Sequence, residues 1–352
     1  MSTLLTTAAT VALALSASLA ITGPLHAQEA KTGADVAAPT AVGGSPTVTR
    51  LTEFGSDDFV TGSTIGPDGA LYVTDGSAGE VLRINLLDGL LNTFATGLPP
   101  KAFQGEDIGG PTDVAFMDGT PYVLVSLVSG MVSAEPFGDL KAKNGLYRIE
   151  PGGAPTLVAD LGQWSHDNPP QPAFVVDTGV FFAMEAYDGG FLVTDAHHNR
   201  VLWVDQAGAI REVATFGNDV PVGLETTAGQ FFVTQMGPIP HRPEDGKIVT
   251  VRKEGEPSTM ASGATMIIDV EQGPRDTLYA LSQGRWDGVG EGSRAEPDTG
   301  GLFVVGTGGE LTPVLDGGGQ AIVLDRPTSV EFVGNTAYVV SVTGDVYRVD
   351  GL

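Results

Sequence analysis

From Ser63 onward the chain repeats a short pattern of apolar and polar positions. Each repeat opens with a short apolar run and a turn, marked in the six units by Gly69, Gly119, Gly189, Gly229, Asp276 or Asn335. A second apolar run follows, such as "ALYVT" at 70–74, "FLVTD" at 191–195, "FFVTQ" at 231–235 or "AYVVS" at 337–341. After a polar connection comes a third, such as "VLRIN" at 81–85, "LYRIE" at 146–150 or "VLWVD" at 201–205. A glycine-containing turn leads to a fourth, as in "LNTFAT", "PTLVAD" or "REVATF". Runs this short, rich in Val, Ile, Leu, Phe and Tyr and bounded by turn residues, read as strands. Four strands per unit, repeated every 40 to 60 residues or roughly so, predict the blades of a β-propeller.

Six units can be aligned, and the last lacks its fourth strand. The segment "TVTRLTEFG" at 47–55 has the missing pattern and stands before the first complete unit. The expected fold is therefore all-β: a six-bladed β-propeller over 49–352, its N-terminal strand completing the C-terminal blade. That closure leaves no frayed sheet edge. A seven-bladed ring and a sandwich are the alternatives.

The N-terminal region departs from this pattern. Residues 1–27 hold an apolar or small-residue core at 11–22, then Pro24 and the small-residue site "LHA" ending at Ala27. They read as a secretory signal peptide, although the segment carries no Lys or Arg. Thr and Ser dilute the apolar core, so no membrane span is expected after cleavage. Residues 28–48, rich in Ala, Gly, Pro and Thr, read as a flexible linker. The expected location is secreted or periplasmic.

Charge narrows the partners. Eighteen Lys and Arg stand against 43 Asp and Glu, a formal charge of −25. No basic cluster interrupts that field, so nucleic acid is not an expected partner. The chain contains no cysteine, which removes disulfides, thiolate metal sites and cysteine nucleophiles. A small molecule or a protein remains as the expected ligand.

The grammar "GPDGALYVTD…GEVLRI" resembles NHL and SMP-30-like six-bladed propellers. A closer resemblance is to the ScyD/ScyE family, associated with biosynthesis of the pigment scytonemin. It rests on "GPTDVAF" at 110–116, "DGGFLVTDAHHNRVLWVDQAGAIREVATF" at 188–216 and "VPVGLETTAGQFFVTQMGPIP" at 220–240. The resemblance implies a propeller outside the cytoplasm and no defined reaction. Members often carry a Gly-Phe-Pro turn where this chain has "MGPIPHRPEDG".

Candidate chemistry is sparse. "DAHHNR" joins the second and third strands of blade three, where blade one has "DGSAGE". His197 and His198 are expected in a solvent-exposed turn, since neighbouring side chains in an extended turn diverge and do not share one metal. His166 and His241 lie elsewhere in loops. No G-x-S-x-G elbow occurs. The glycine-rich "GTGGE" and "DGGGQ" read as hairpin turns, without a P-loop lysine. The loop at 283–301 carries Asp287, Glu291, Glu296 and Asp298 with Arg285 and Trp286, either a solvated loop or a ligand platform.

One repeated feature stands out. Four residues before each inner turn stand Ile65, Ala115, Glu185, Glu225, Gln272 and Glu331. Glu185, Glu225 and Glu331 are the candidate metal ligands for a divalent cation such as calcium, with Gln272 and Asp113 as further channel residues. Three function classes compete: a binding or scaffolding propeller, a metal-dependent lactonase or esterase of SMP-30-like type, and a quinone-dependent sugar dehydrogenase. The second is weakened by the missing early "EGP" signature and by Glu53 falling on the closing strand. The third wants a well-placed His base.

The mature chain is expected to begin near Gln28. N-terminal sequencing of the protein from the extracytoplasmic fraction checks this, and an intact Met1 on soluble cytoplasmic protein would refute it.

Overall fold

The computed structural model describes residues 45–53, 60–102, 108–227, 229–239, 242, 245–252, 256–286 and 295–352. The expected signal peptide, most of the linker, His241, Asp287 and Glu291 lie outside the described residues. No helix among those described is long and apolar enough to cross a membrane.

The described chain forms six four-stranded antiparallel sheets. Their inner strands are Val60–Ile65, Gly110–Met117, Phe181–Tyr187, Pro221–Thr227, Ile267–Gln272 and Pro327–Val333. Each inner strand touches the inner strand of the blade before it and of the blade after it, and the sixth touches the first. The sheets are thus the blades of a closed six-bladed propeller around one axis. The sixth blade is completed by Thr47–Glu53, which pairs antiparallel with the last strand, Asp345–Asp350. This strand begins two residues inside the segment expected as linker. Its Arg50 forms ion pairs with Asp345 of the partner strand and with Glu53.

The apolar core is divided among the six blade junctions. Val114, Val123 and Tyr147 of blade two meet Tyr72 and Val81 of blade one. Leu124 and Leu146 meet Phe181, Met184 and Phe191 of blade three. Leu71 and Val73 of blade one meet Tyr338 and Val340 of blade six. The central strands are therefore apolar on both faces, and the alternation usual for a half-buried strand is lost. Each such Leu, Val or Phe contributes about 1.5–3 kcal/mol by leaving water.

The turns joining inner to second strands come in two lengths. Blades two, three and six use two-residue turns, closed by the pairs Met117↔Thr120, Tyr187↔Gly190 and Val333↔Thr336. Blade four closes the same way at Thr227↔Gln230. Blades one and five close at Ile65↔Leu71 and Gln272↔Leu278, which leaves five residues in each turn.

Besides the blades, the described residues include a two-stranded hairpin, Ser129–Val132 with Glu135–Gly138, an α-helix, Leu161–Asp167, and a 3-10 turn, Pro274–Asp276. The hairpin lies between the second and third strands of blade two. The helix and residues 168–180 lead from blade two into the inner strand of blade three. Second strands end where inner strands begin, so both additions lie on the same face of the ring, here called the loop face.

Deleting residues 28–46 should leave the melting temperature unchanged, whereas deleting 28–55 should lower it by on the order of 10 °C and promote aggregation through the bared edge of Asp345–Asp350. Equal melting of the two truncations, measured by circular dichroism, would refute the closing role of Thr47–Glu53.

Candidate functional site

Cross-strand register decides which inner-strand residues share a level. Glu185 lies opposite Leu192, Glu225 opposite Phe232 and Glu331 opposite Tyr338. At the same level blade five presents Glu271, opposite Tyr279, and blade one presents Thr64, opposite Tyr72. Ala115, opposite Tyr122, completes the level in blade two. Gln272 and Ile65 are therefore not members of the column. Counting four residues back from the turn holds for two-residue turns and slips by one for five-residue turns, which moves a side chain to the opposite sheet face. The correction replaces the amide by a fourth carboxylate. Gln272 contributes its backbone instead: its N–H donates to Glu225 Oε2 at 3.2 Å.

Two residues earlier on the inner strands stand Gly62, Asp113, Ala183, Gly223, Asp269 and Ser329. Asp113 Oδ1 accepts from its neighbour Val114 N at 2.8 Å, and Oδ2 accepts from Met184 N of the next blade at 2.6 Å. Asp269 repeats the arrangement on the far side of the ring, accepting from Val270 N at 2.9 Å and from Val330 N of the next blade at 2.9 Å. Blades two and five are thus matched, and so are the blades before them. A methyl group on Gly62 would stand 2.6 Å from Thr112 O, and one on Gly223 would stand 2.7 Å from Ile268 O. Only glycine lets the Asp-bearing strand approach this closely.

Asp113, Glu185, Asp269, Glu271 and Glu331 surround an axial void of about 40 Å³, to which Gly62, Ser63, Met184, Gly223 and Ser329 also contribute. None of the residues lining it carries a positive charge. Burial drives these carboxyls upward from their ordinary range. Asp113 is pushed up to about 8 by burial, against the pull of the Met184 and Val114 amides. Glu185 is held well above the usual range by burial and then by the charges of Glu225 and Asp113. Glu331 is raised by burial and then by Asp269 and Glu185, and Glu271 by burial and then by Glu331 and Glu225. Asp269 is raised by burial despite its two backbone donors. The axis therefore holds protons or attracts a cation. Glu185, Glu225 and Glu331 are brought into one channel, with Asp113 on an adjacent level. Among the described residues no three His, Asp or Glu side chains converge as a ready-made metal cage.

The two adjacent histidines are not in an exposed turn. His198 is buried, its Nε2–H donating to Val176 O at 2.9 Å. Its Nδ1 lies 3.0 Å from both Asp195 Oδ2 and Arg200 Nη2. His197 Nε2 accepts from Val176 N at 3.1 Å. Burial, and then the adjacent His198, push the His197 ring down to about 4, so it stays neutral. The pair thus grips both backbone polar groups of one residue, Val176, in the 168–180 segment. Asp195 accepts from Val180 N at 3.1 Å and from Arg200 Nε at 3.1 Å. Burial raises its carboxyl, but the His198 hydrogen bond and the His198 and Arg200 charges outweigh that and hold it below the usual range. Phe174 packs edge-on against the His197 ring at 5.3 Å and tilted against the His198 ring at 5.9 Å. Sequence spacing missed this because the partner segment comes from the connection between two blades.

On the loop face, His166 Nδ1 lies 2.9 Å from Asp177 Oδ2, beside a cavity of about 200 Å³. Of the 283–301 loop, the described part holds an Arg285–Glu296 ion pair.

No family model matches the chain, and no curated protein matches it. Solved structures do share its fold. A gluconolactonase from Xanthomonas campestris superposes with a TM-score of 0.58 at 12% identity, covering 88% of this chain and 91% of that one. The aldose sugar dehydrogenase of Streptomyces coelicolor, in its PQQ-bound form, gives 0.54 at 12% identity, covering 90% and 100%. A virginiamycin B lyase from Staphylococcus aureus gives 0.51 at 14% identity, covering 87% and 99%. This chain is similar to all three in the ring alone: it has the fold of six-bladed β-propellers of the gluconolactonase-like and virginiamycin B lyase kind.

Proposed function

We propose that this chain is a ScyD/ScyE-like binding propeller that works outside the cytoplasm, takes up a divalent cation such as calcium in its axial channel, and presents a small molecule or partner protein with a docking face. The observation that carries the reading is the axial group of Asp113, Glu185, Glu225, Asp269, Glu271 and Glu331, five of them around a void with no cationic side chain on its wall. A group of buried acids without a counter-charge disfavours the folded state unless protons or a cation neutralise it. The void is small, about 40 Å³, and no three ligands converge, so a cation would be held partly through water. Hard oxygen donors of this kind suit calcium or magnesium.

A second reading is a metal-dependent lactonase or esterase of SMP-30-like type. It is favoured by the same cation-attracting channel on a ring shared with a gluconolactonase. Calcium-dependent turnover of a lactone, abolished by EDTA, would select it over pure binding.

Proton linkage gives the test. The raised carboxyls bind protons more tightly in the folded state than in the unfolded chain, where they titrate near pH 4 or about there. Their contribution to stability is full below that range and is lost as pH rises, for Asp113 through about 8. Each group that titrates in this window costs about 1.4 kcal/mol per pH unit. In EDTA the melting temperature should fall from pH 5 to pH 8. Calcium or magnesium at a hundredfold excess over its dissociation constant should restore about 2.7 kcal/mol at pH 8 and much less at pH 5. Replacing Glu185, Glu225, Glu271 and Glu331 together by Gln should remove the response. A wild type indifferent to cations at pH 8, or a variant with the same shift, would sink the reading.

A further inference from the structure

The two additions to the bare ring, the hairpin at 129–138 and the helix Leu161–Asp167, wall the same cavity on the loop face, about 200 Å³ in volume. Loops and insertions carried on a rigid scaffold are where function concentrates. Three side chains there are held in place by independent contacts. Asp177 is fixed at both oxygens: Oδ1 accepts from Met131 N at 2.9 Å, and Oδ2 meets His166 Nδ1 at 2.9 Å. Asp160 caps the helix through Gln163 N at 2.9 Å with one oxygen and holds Lys143 Nζ at 2.9 Å with the other. Ser129, buried on the same wall, donates its hydroxyl to Ala142 O at 2.7 Å, so it is committed and is no nucleophile.

The histidine pair adds a second layer of support. His197 and His198 grip the N–H and C=O of Val176, the residue before Asp177, and Asp195 holds Val180 N. Met131 O accepts from Asp177 N at 3.3 Å, which ties the segment to the hairpin as well. The backbone carrying Asp177 is therefore fixed from both sides, while His166 is half-exposed at the cavity.

We propose that this cavity is a hydrolytic site for small esters or lactones, with His166 as general base, Asp177 as its positioning residue and Lys143 beside the developing oxyanion. The carboxylate at Nδ1 fixes the tautomer and leaves Nε2 as the free base. Nε2 takes a proton from water as the water oxygen bonds to the acyl carbon. The acyl C–O bond then breaks, and the proton passes from Nε2 to the departing alcohol oxygen. Ester and water become acid and alcohol, with no other reactant. Leu140, Met131 and Ala142 give the cavity an apolar side for a short acyl chain. The proposal does not depend on the axial cation.

The test uses the purified full chain with 4-nitrophenyl acetate and δ-valerolactone, in EDTA. Wild type should hydrolyse both above the buffer rate. His166→Gln should lower kcat/KM by about a hundredfold. Asp177→Asn should lower kcat by about tenfold with KM unchanged, and Asp177→Glu, which returns a carboxylate to Nδ1, should recover part of the loss. A residue with a merely structural role would show neither that split between kcat and KM nor the rescue by Glu. Melting curves confirm that the variants fold, and His166→Asn serves if His166→Gln does not. Equal activity of wild type and the His166 variant, no hydrolysis above buffer, or hydrolysis abolished by EDTA would each overturn the proposal.

Discussion

Six strands that converge on one axis bury polar groups around a void of only about 40 Å³, where they must be partnered. The protein resolves this with polar contacts across every blade junction. Thr61 Oγ1 donates to Thr112 O at 2.7 Å, Asp113 takes Met184 N, and Thr194 Oγ1 donates to Val222 O at 2.7 Å. Thr234 Oγ1 donates to Ile268 O at 3.1 Å, Asp269 takes Val330 N, and the Ser329 and Ser63 hydroxyls meet at 2.6 Å. The apolar blade faces supply most of the burial energy, but they are non-directional. The axial contacts set how far each blade slides along its neighbour. Where the acceptor is the carboxyl of Asp113 or Asp269, the gain of the bond is offset by the cost of burying the acid.

The same contacts explain why acidity gathers at the axis. Asp113 and Asp269 are partly satisfied by backbone donors, so their role is legible as structure. Glu185, Glu271 and Glu331 have no cationic partner in the void, and no packing argument accounts for them. Groups that local stability would disfavour are where function is expected. The chain also separates its two kinds of chemistry in space: acids along the axis, and the His166–Asp177 pair on the loop face. The histidine pair bridges neither; it stiffens the segment that carries Asp177.

Much of this architecture was legible in the sequence because blade strands are short, apolar and bounded by glycine. Even the closing strand was readable, since "TVTRLTE" matches the fourth strand missing from the last unit. The channel column was readable in blades two, three, four and six, where the turns have two residues. It failed in blades one and five because turn length varies while register is set by strand pairing, so Gln272 stood in for Glu271. The histidines failed for a different reason. Their burial depends on Val176 and Phe174, contributed by a connection whose path no local pattern encodes. The pairing of His166 with Asp177 was equally hidden, since a helix and a following extended segment must fold back together to create it.

The closing strand has a consequence in time. Thr49 Oγ1 donates to Arg348 O, a contact spanning 299 positions of the chain. No ring can close before Asp345–Asp350 is available to pair with Thr47–Glu53. Until then the first strand waits with no sheet to join, and the last sheet has an open edge. Loop closure over such a separation grows only slowly more costly with length, but it comes late and is slow. Assembly is therefore ordered like a clasp: five blades can form as their strands appear, and the sixth waits for Thr47–Glu53 to meet Asp345–Asp350.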